Sequence, residues 1–294
     1  MGEAVTVIMP TRTLAGRAAL LRRAIASVLA QVRVSTVPLL VINGGAGDPA
    51  LVRELVADRR LRTITLPGEG LPAALRAGRA HVDTAFFATL DDDDVLVPDA
   101  LATRVDAALE APGWDAIVTN GIRRGPHGES LHVEDAGAVN RDPLLALRDT
   151  TWLLPGSWLC RSDAANATLF DDMPAHLECT YLALRFATGL RMRFLARPTV
   201  IWHTSTPLSV SASREYSVGQ AQAIERLLAL PMPAALRASF EERLRHACHA
   251  NAERCLEEGA TREAWGWHMR SLRAPGGWRH LLYTRKVLMR AIGS

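Results

Sequence analysis

Short apolar runs and amphipathic stretches alternate from Ala4 to Asn120, switching about every dozen residues. Ala4–Met9 is apolar and β-branched and predicts a buried strand stopped by Pro10. Across 16–31, Leu20, Leu21, Ala24, Ile25, Val28 and Leu29 recur at helical spacing, with Arg17, Arg22 and Arg23 on the polar side. Pro38–Ile42 predicts a second strand, broken by Asn43-Gly44-Gly45-Ala46-Gly47. Asp48 then caps a helix that carries Pro49 at its first position. Leu61–Leu66, Thr84–Leu90 and Trp114–Asn120 predict further strands, and 70–81 and 98–110 predict helices.

Such alternation builds an α/β fold with a mostly parallel sheet and helices on both faces. Ligands of these sheets bind outside the carboxyl ends of the strands. Thr11-Arg12, Asn43-Gly44-Gly45 and Asp91–Asp94 all fall at such ends. Further on, 121–128 predicts a turn or hairpin, 142–149 a short helix, and Ser157–Arg161 an edge strand near the site. Pro174–Thr188 has a helical period, and Arg191–Leu195 and Thr199–His203 predict two strands. Past Ser213 the pattern is helical, in segments near 213–229, 234–257, 260–272 and 278–291. A boundary near 212 separates a domain at 1–212 from a helical C-terminal extension at 213–294.

Composition changes this picture little. The chain has 294 residues, 48% of them hydrophobic, enough for a sizeable core. A net charge of +3 gives no whole-protein field for nucleic acid. Lys286 is the only lysine, and arginine's fork suits phosphate and carboxylate recognition. Cys160, Cys179, Cys248 and Cys255 lack CxxC spacing and no secretory leader is visible, so reduced thiols and a cytoplasmic location are expected. No apolar run approaches the ~18 residues of a membrane span. The tail mixes Trp278, Leu281, Leu282, Val287, Leu288 and Ile292 with Arg279, Arg285, Lys286 and Arg290. That mixture suits an anionic membrane surface, packing on the catalytic domain, or a homodimer through the C-terminal helices.

The chemistry concentrates in four consecutive aspartates, Asp91–Asp94, at the end of the fourth strand. Carboxylates this close repel one another, and a hard divalent cation offsets the cost while holding phosphate oxygens. A solvated turn that caps the next helix is the plain alternative. Trp152 and Trp158 flank Pro155-Gly156, placed either to stack on a sugar ring or to pack in the core.

The stretch Val5-Thr6-Val7-Ile8-Met9-Pro10-Thr11 followed by Leu21-Arg22-Arg23-Ala24-Ile25-Ala26-Ser27-Val28-Leu29-Ala30-Gln31 resembles the opening of family 2 glycosyltransferases with the GT-A fold. Leu90 to Asp94 with Pro98-Asp99-Ala100-Leu101 is similar to that family's DxD strand end and following helix. His203, Thr204, Ser205 and Ser209 are similar to its late His-x-x-Ser-x-Ser stretch. The likeness covers 4–212. It implies a Rossmann-like GT-A sheet, a nucleotide-diphosphate sugar as donor (a UDP-sugar first among them), Mn2+ or Mg2+, and transfer with inversion to a small-molecule or carrier-bound acceptor. By position it implies that Pro10, Thr11, Arg12, Asn43, Arg76, Asp91 and Asp92 bind the donor. Asp91, Asp93, Asp94 and His203 would meet the metal, and Glu178 would be the catalytic base.

The chain departs from the pattern in four places. Asn43-Gly44-Gly45-Ala46 stands for Asp-Asp-Gly-Ser, Arg12 for an aromatic, Leu75-Arg76 for Arg-Asn, and Cys179 for the second acid of a Glu-Asp pair. Two alternatives remain open from sequence: a nucleotidyltransferase of related architecture, and a non-catalytic sugar-nucleotide binder.

Overall fold

Three largely apolar runs and one alternating segment form parallel strands: β1 (Ala4–Thr11), β2 (Ser35–Asn43) and β4 (Phe86–Thr89), with β3 (Arg62–Leu66) the alternating one. Five more follow, β5 (Val95–Leu96), β6 (Ala116–Gly125), β7 (Gly128–Leu131), β8 (Trp158–Arg161) and β9 (Met192–His203). In this computed structural model the described residues are 3–292 except 46, 69, 111–112, 205 and 207–213. The nine strands make one sheet in the order β3-β2-β1-β4-β8-β6-β9-β5, with β7 paired to β6. The chain divides into two units, Met1–Ser209 and Val210–Ser294.

Alternation along β1 sorts the layers, because successive strand side chains point to opposite faces. Val5, Val7 and Met9 join a core with Leu21, Ala24, Ile25 and Val28 of α1 (Ala18–Leu29) and Leu101 and Val105 of α4 (Ala100–Glu110). Ile8 faces the other way, towards α3 (Gly70–Ala80). A Cβ at Gly78 would stand 2.4 Å from the Ile8 side chain, so only glycine lets α3 lie this close to the sheet. Asp48 accepts from the Ala50 amide at 2.8 Å and caps α2 (Pro49–Ala57), as its position predicts.

Several expectations are corrected. Pro10 does not stop the first strand but pairs with Val41 inside β1. The Ile8 carbonyl accepts from Leu90 on the β4 side, so the proline's missing N–H faces the side where β4 pairing has already ended. The segment at 157–161 is not an edge strand. β8 lies between β4 and β6, antiparallel to both, with Trp158, Leu159 and Cys160 fully buried. The sheet is therefore parallel only from β3 to β4 and mixed beyond, with α/β class and flanking helices intact. The two strands expected at 191–195 and 199–203 are one, β9. Its exposed Ala196-Arg197 stretch is a bulge where the register against β6 slips. Trp152 and Trp158 are fully buried, which removes them as sugar platforms.

One buried cation ties these strands together. Arg104 of α4 is 0% exposed and donates to the carbonyls of Gly156 and Trp158 and to the hydroxyls of Thr119 and Thr199. Short helices α5 (Ala136–Arg141) and α6 (Pro143–Ala146) lead to α7 (Glu178–Gly189). The second unit is helical: α8 (Arg214–Leu228), α9 (Ala234–Glu257), α10 (Thr261–Arg273) and α11 (Tyr283–Ile292), with a 3-10 turn at Gly277–His280. Cys255, Leu256, Ala264 and Val287 form a core there, and the four cysteines are free thiols. Among the described residues no helix is long and apolar enough to cross a membrane.

Candidate active site

The carboxyl ends of β1, β2 and β4 meet in one place. Thr11 ends β1 and is 4% exposed, and its hydroxyl donates to Asp92 Oδ2 at 2.8 Å. Asn43 ends β2, and its side-chain oxygen accepts from the Gly70 amide at 3.2 Å, fastening β2 to the start of α3. The loops after β1 and β2 touch, with Asp48 N donating to Thr13 O at 2.9 Å. A Cβ at Gly47 would fall 2.0 Å from Thr13 Oγ1, so this join requires glycine.

Asp91–Asp94 make the turn after β4, closed by Asp94 N to Asp91 O at 3.3 Å. β5 follows at once and pairs with β9, Val95 opposite Ile201 and Leu96 opposite Val200. That pairing brings His203 onto Asp94: its amide donates to Asp94 Oδ1 at 2.9 Å, and its ring Nδ1 stands 3.8 Å from the same oxygen. Asp94 is 1% exposed, and among the described residues its Oδ2 has no hydrogen-bond partner. Asp91, Asp93 and Asp94 each offer an oxygen within 4.8 Å of the others. Asp92 is not in that group; it turns to Thr11 and to Arg17.

Arg17 is a site residue that periodicity misassigned. It sits on a 3-10 turn before α1 rather than on the helix's polar face. Its Nη2 lies 2.6 Å from Asp92 Oδ1 and 2.9 Å from Asp93 Oδ2. Thr206 donates to Asp93 Oδ2 at 2.6 Å, and Arg23 to the Asp93 carbonyl at 2.8 Å. The available signal for Arg17 was its place in the loop following β1, where ligand-facing residues gather.

Glu178 opens α7, just after Leu177 with φ of +61°. Burial pushes its carboxyl up to about 7. The Asp91 carboxyl is pushed well above its ordinary range, first by burial and then by the charges of Asp94, Asp93, Asp92 and Glu178. Asp94 is likewise raised by burial, against the pull of the His203 amide. Burial and the neighbouring Arg23 and Arg124 lower His203, which keeps its imidazole neutral. Cys179 feels Glu178, Asp91 and Asp94 after burial itself, and its raised thiol stays neutral. Cysteine therefore removes one anion from an overcrowded corner.

The other expected donor contacts are spread more widely. Pro10 is buried within β1, and Arg12 is exposed at the strand's end. Arg76 is two-thirds exposed on α3 and stands 3.5 Å from Asp171. Ser205 and Ser209 lie outside the described residues.

The arrangement suits a hard cation. Three carboxylates converge, one retains an open buried oxygen, and the carboxyls of two are raised by burial and by like charges nearby. Arg17 offsets part of the excess at Asp92 and Asp93. Beside this cluster lies a single carboxyl, Glu178, poised to take a proton near neutral pH.

A mixed sheet flanked by helices, with an acidic turn after its fourth strand, is the GT-A architecture. Residues 6–146 match the family model described as Glycosyl transferase family 2, and this stretch belongs to that family. The sequence matches no curated protein. Among solved structures the chain is similar to TarS of S. aureus, with 12% identity and a TM-score of 0.55, covering 83% of this chain and 43% of that one. TarS 1-349 in complex with UDP-GlcNAc matches at 13% identity and a TM-score of 0.56, covering 85% of this chain and 72% of that one. The same protein in complex with UDP matches at 13% and 0.53, covering 85% and 71%. At these identities the likeness shows the fold, and the chain spans less than half the length of the longer TarS chain. Family and fold agree with the resemblance read from the sequence, and the nucleotidyltransferase alternative gains no support.

Proposed function

We propose that the chain is a nucleotide-sugar-dependent glycosyltransferase that inverts the anomeric centre. The observation that carries this reading is Glu178, raised to about 7, beside three convergent aspartates at the end of β4. The catalytic domain spans 1–212, and 213–294 is a helical extension.

Thr11, Asn43 and Asp92 line the end of the sheet where the donor lies, with Pro10, Arg12 and Arg76 around it. Asp91, Asp93 and Asp94 would hold Mn2+ or Mg2+, with His203 alongside, and such an ion would supply positive charge to offset that on the departing diphosphate. Glu178 accepts the proton of the acceptor hydroxyl as its oxygen attacks the anomeric carbon. The bond from that carbon to the phosphate oxygen breaks on the opposite side, and the diphosphate leaves with the electron pair. Half-burial of Glu178 favours this role, since an ordinary exposed glutamate holds its proton too weakly to be a good base near neutrality.

TarS complexes with UDP and UDP-GlcNAc support a UDP-sugar as the first donor to test. A thermal-shift screen of UDP-sugars with and without Mn2+ measures donor binding, because a ligand of the folded state raises the melting temperature. UDP release then measures turnover. Binding without turnover across acceptors, with Glu178→Gln indistinguishable from the parent, would leave only a sugar-nucleotide binder.

A further inference from the structure

Among the described residues, eleven large hydrophobics are exposed, and five of them fall between 278 and 289: Trp278, Leu281, Leu282, Leu288 and Met289. The other six are scattered along the chain, as is normal for a protein surface. The five sit on the Gly277–His280 turn, on α11 and on the link between them.

The inner side of α11 is fixed by Val287, which is 0% exposed in the helical unit's core, with Tyr283 packed against the same cluster. The opposite side carries Met289, 64% exposed, and Leu282, 92% exposed, stands on the link just before the helix begins. Arg285 and Lys286 flank that ridge, and both are exposed. Lys286 Nζ lies 5.3 Å from the Tyr283 ring centroid and the Arg279 guanidinium 5.7 Å from that of Trp278.

Charge follows the same line. Residues 274–294 contain no aspartate or glutamate, and Arg279, Arg285, Lys286 and Arg290 give them +4. The whole chain carries +3, so the rest of it is close to neutral. An apolar ridge with basic residues on both flanks and a tryptophan at one end is the pattern that settles into a headgroup layer. There the apolar tips enter the acyl boundary while arginine and lysine reach back to phosphates.

We propose that the turn at 277–280 and α11 dock the protein on an anionic lipid surface. Leu282, Met289 and Trp278 enter the interface, and Arg279, Arg285, Lys286 and Arg290 meet the headgroups. This surface lies in the second unit and does not depend on the reading of the aspartate site.

The test is co-sedimentation of the full chain with vesicles of phosphatidylcholine alone and with about a third phosphatidylglycerol. The proposal expects binding to the anionic vesicles only, weakened by salt. Leu282→Glu with Met289→Glu should lower partitioning at least tenfold. Arg285→Gln with Lys286→Gln should lower it by roughly 25-fold, about fivefold per charge. Both pairs are exposed, so unchanged circular dichroism and melting temperature confirm the fold. Equal binding to neutral vesicles overturns the proposal, as does no binding at low salt. Binding that survives the two glutamates also overturns it, since attraction would then need no apolar ridge. A dimer in sedimentation velocity that those substitutions dissolve, without vesicle binding, assigns the face to a second copy instead.

Discussion

Arg104 and Asp94 are both charges taken out of water, and their surroundings are opposite. Arg104 is 0% exposed, and carbonyls of Gly156 and Trp158 and hydroxyls of Thr119 and Thr199 accept its hydrogen bonds. Burial lowers it to about 9, which still leaves it charged at neutral pH. Asp94 is 1% exposed and crowded by further carboxylates, with one oxygen held by the His203 amide and the other without a partner among the described residues. A buried ion with a hydrogen-bond partner at every nitrogen serves architecture. One left open, and crowded by its own sign, marks a place for a ligand.

The contrast breaks most visibly at the cation. Arg104→Ala should cost about 3–5 kcal/mol in urea unfolding, because several buried acceptors lose their donor at once. A midpoint equal to the parent's would mean that Arg104 is not a hub. At the anionic side the loss should appear in turnover instead. Glu178→Gln should lower kcat by ~10²–10⁴ while donor binding persists. The acid limb of the parent's pH profile, with its midpoint near or below 7, should vanish with it. Loss of donor binding as well would reassign Glu178 from proton transfer to ligand contact.

A smaller effect sharpens the difference. Asp91→Asn removes a carboxyl that burial and its neighbours disfavour, so the metal-free protein should melt a few degrees higher even as turnover collapses. A lower melting temperature would place Asp91 with the structural charges. The mildest effect is on pH. The carboxyls of Asp91, Asp94 and Glu178 are raised in the folded protein. Their contribution is thus fully present below the unfolded carboxylate range and lost as pH rises through the folded values, about 7 for Glu178. The metal-free melting temperature should fall between about pH 6 and 8, and Mn2+ should restore more of it at the upper end. A flat profile would show that the cluster is already neutralised, with Arg17 the foremost reason.

Much of the architecture was legible in the order of apolar and polar residues. The buried strands β1, β2 and β4 are largely apolar runs, so they and their helices could be placed directly, while β3, at the sheet's edge, alternates and is nowhere fully buried. Partners were not legible. Trp158-Leu159-Cys160 reads the same at an edge or in the middle, and only pairing with β4 and β6 decides. The Ala196-Arg197 bulge interrupted the periodicity of β9 and made one strand look like two. At the site, the aspartates stood out as an unusual composition. Arg17 did not, because an arginine near a helix start looks solvated until its carboxylates are located. The burial of Glu178 likewise depends on segments far from it in sequence.

The β5–β9 ribbon has a consequence for timing. β5 is only two residues long, and its partners, with the amide that holds Asp94, arrive more than a hundred residues later. A nascent chain therefore carries a loose acidic loop until His203 has emerged from the ribosome. The acidic turn thus reaches its folded form only near the end of the domain's synthesis.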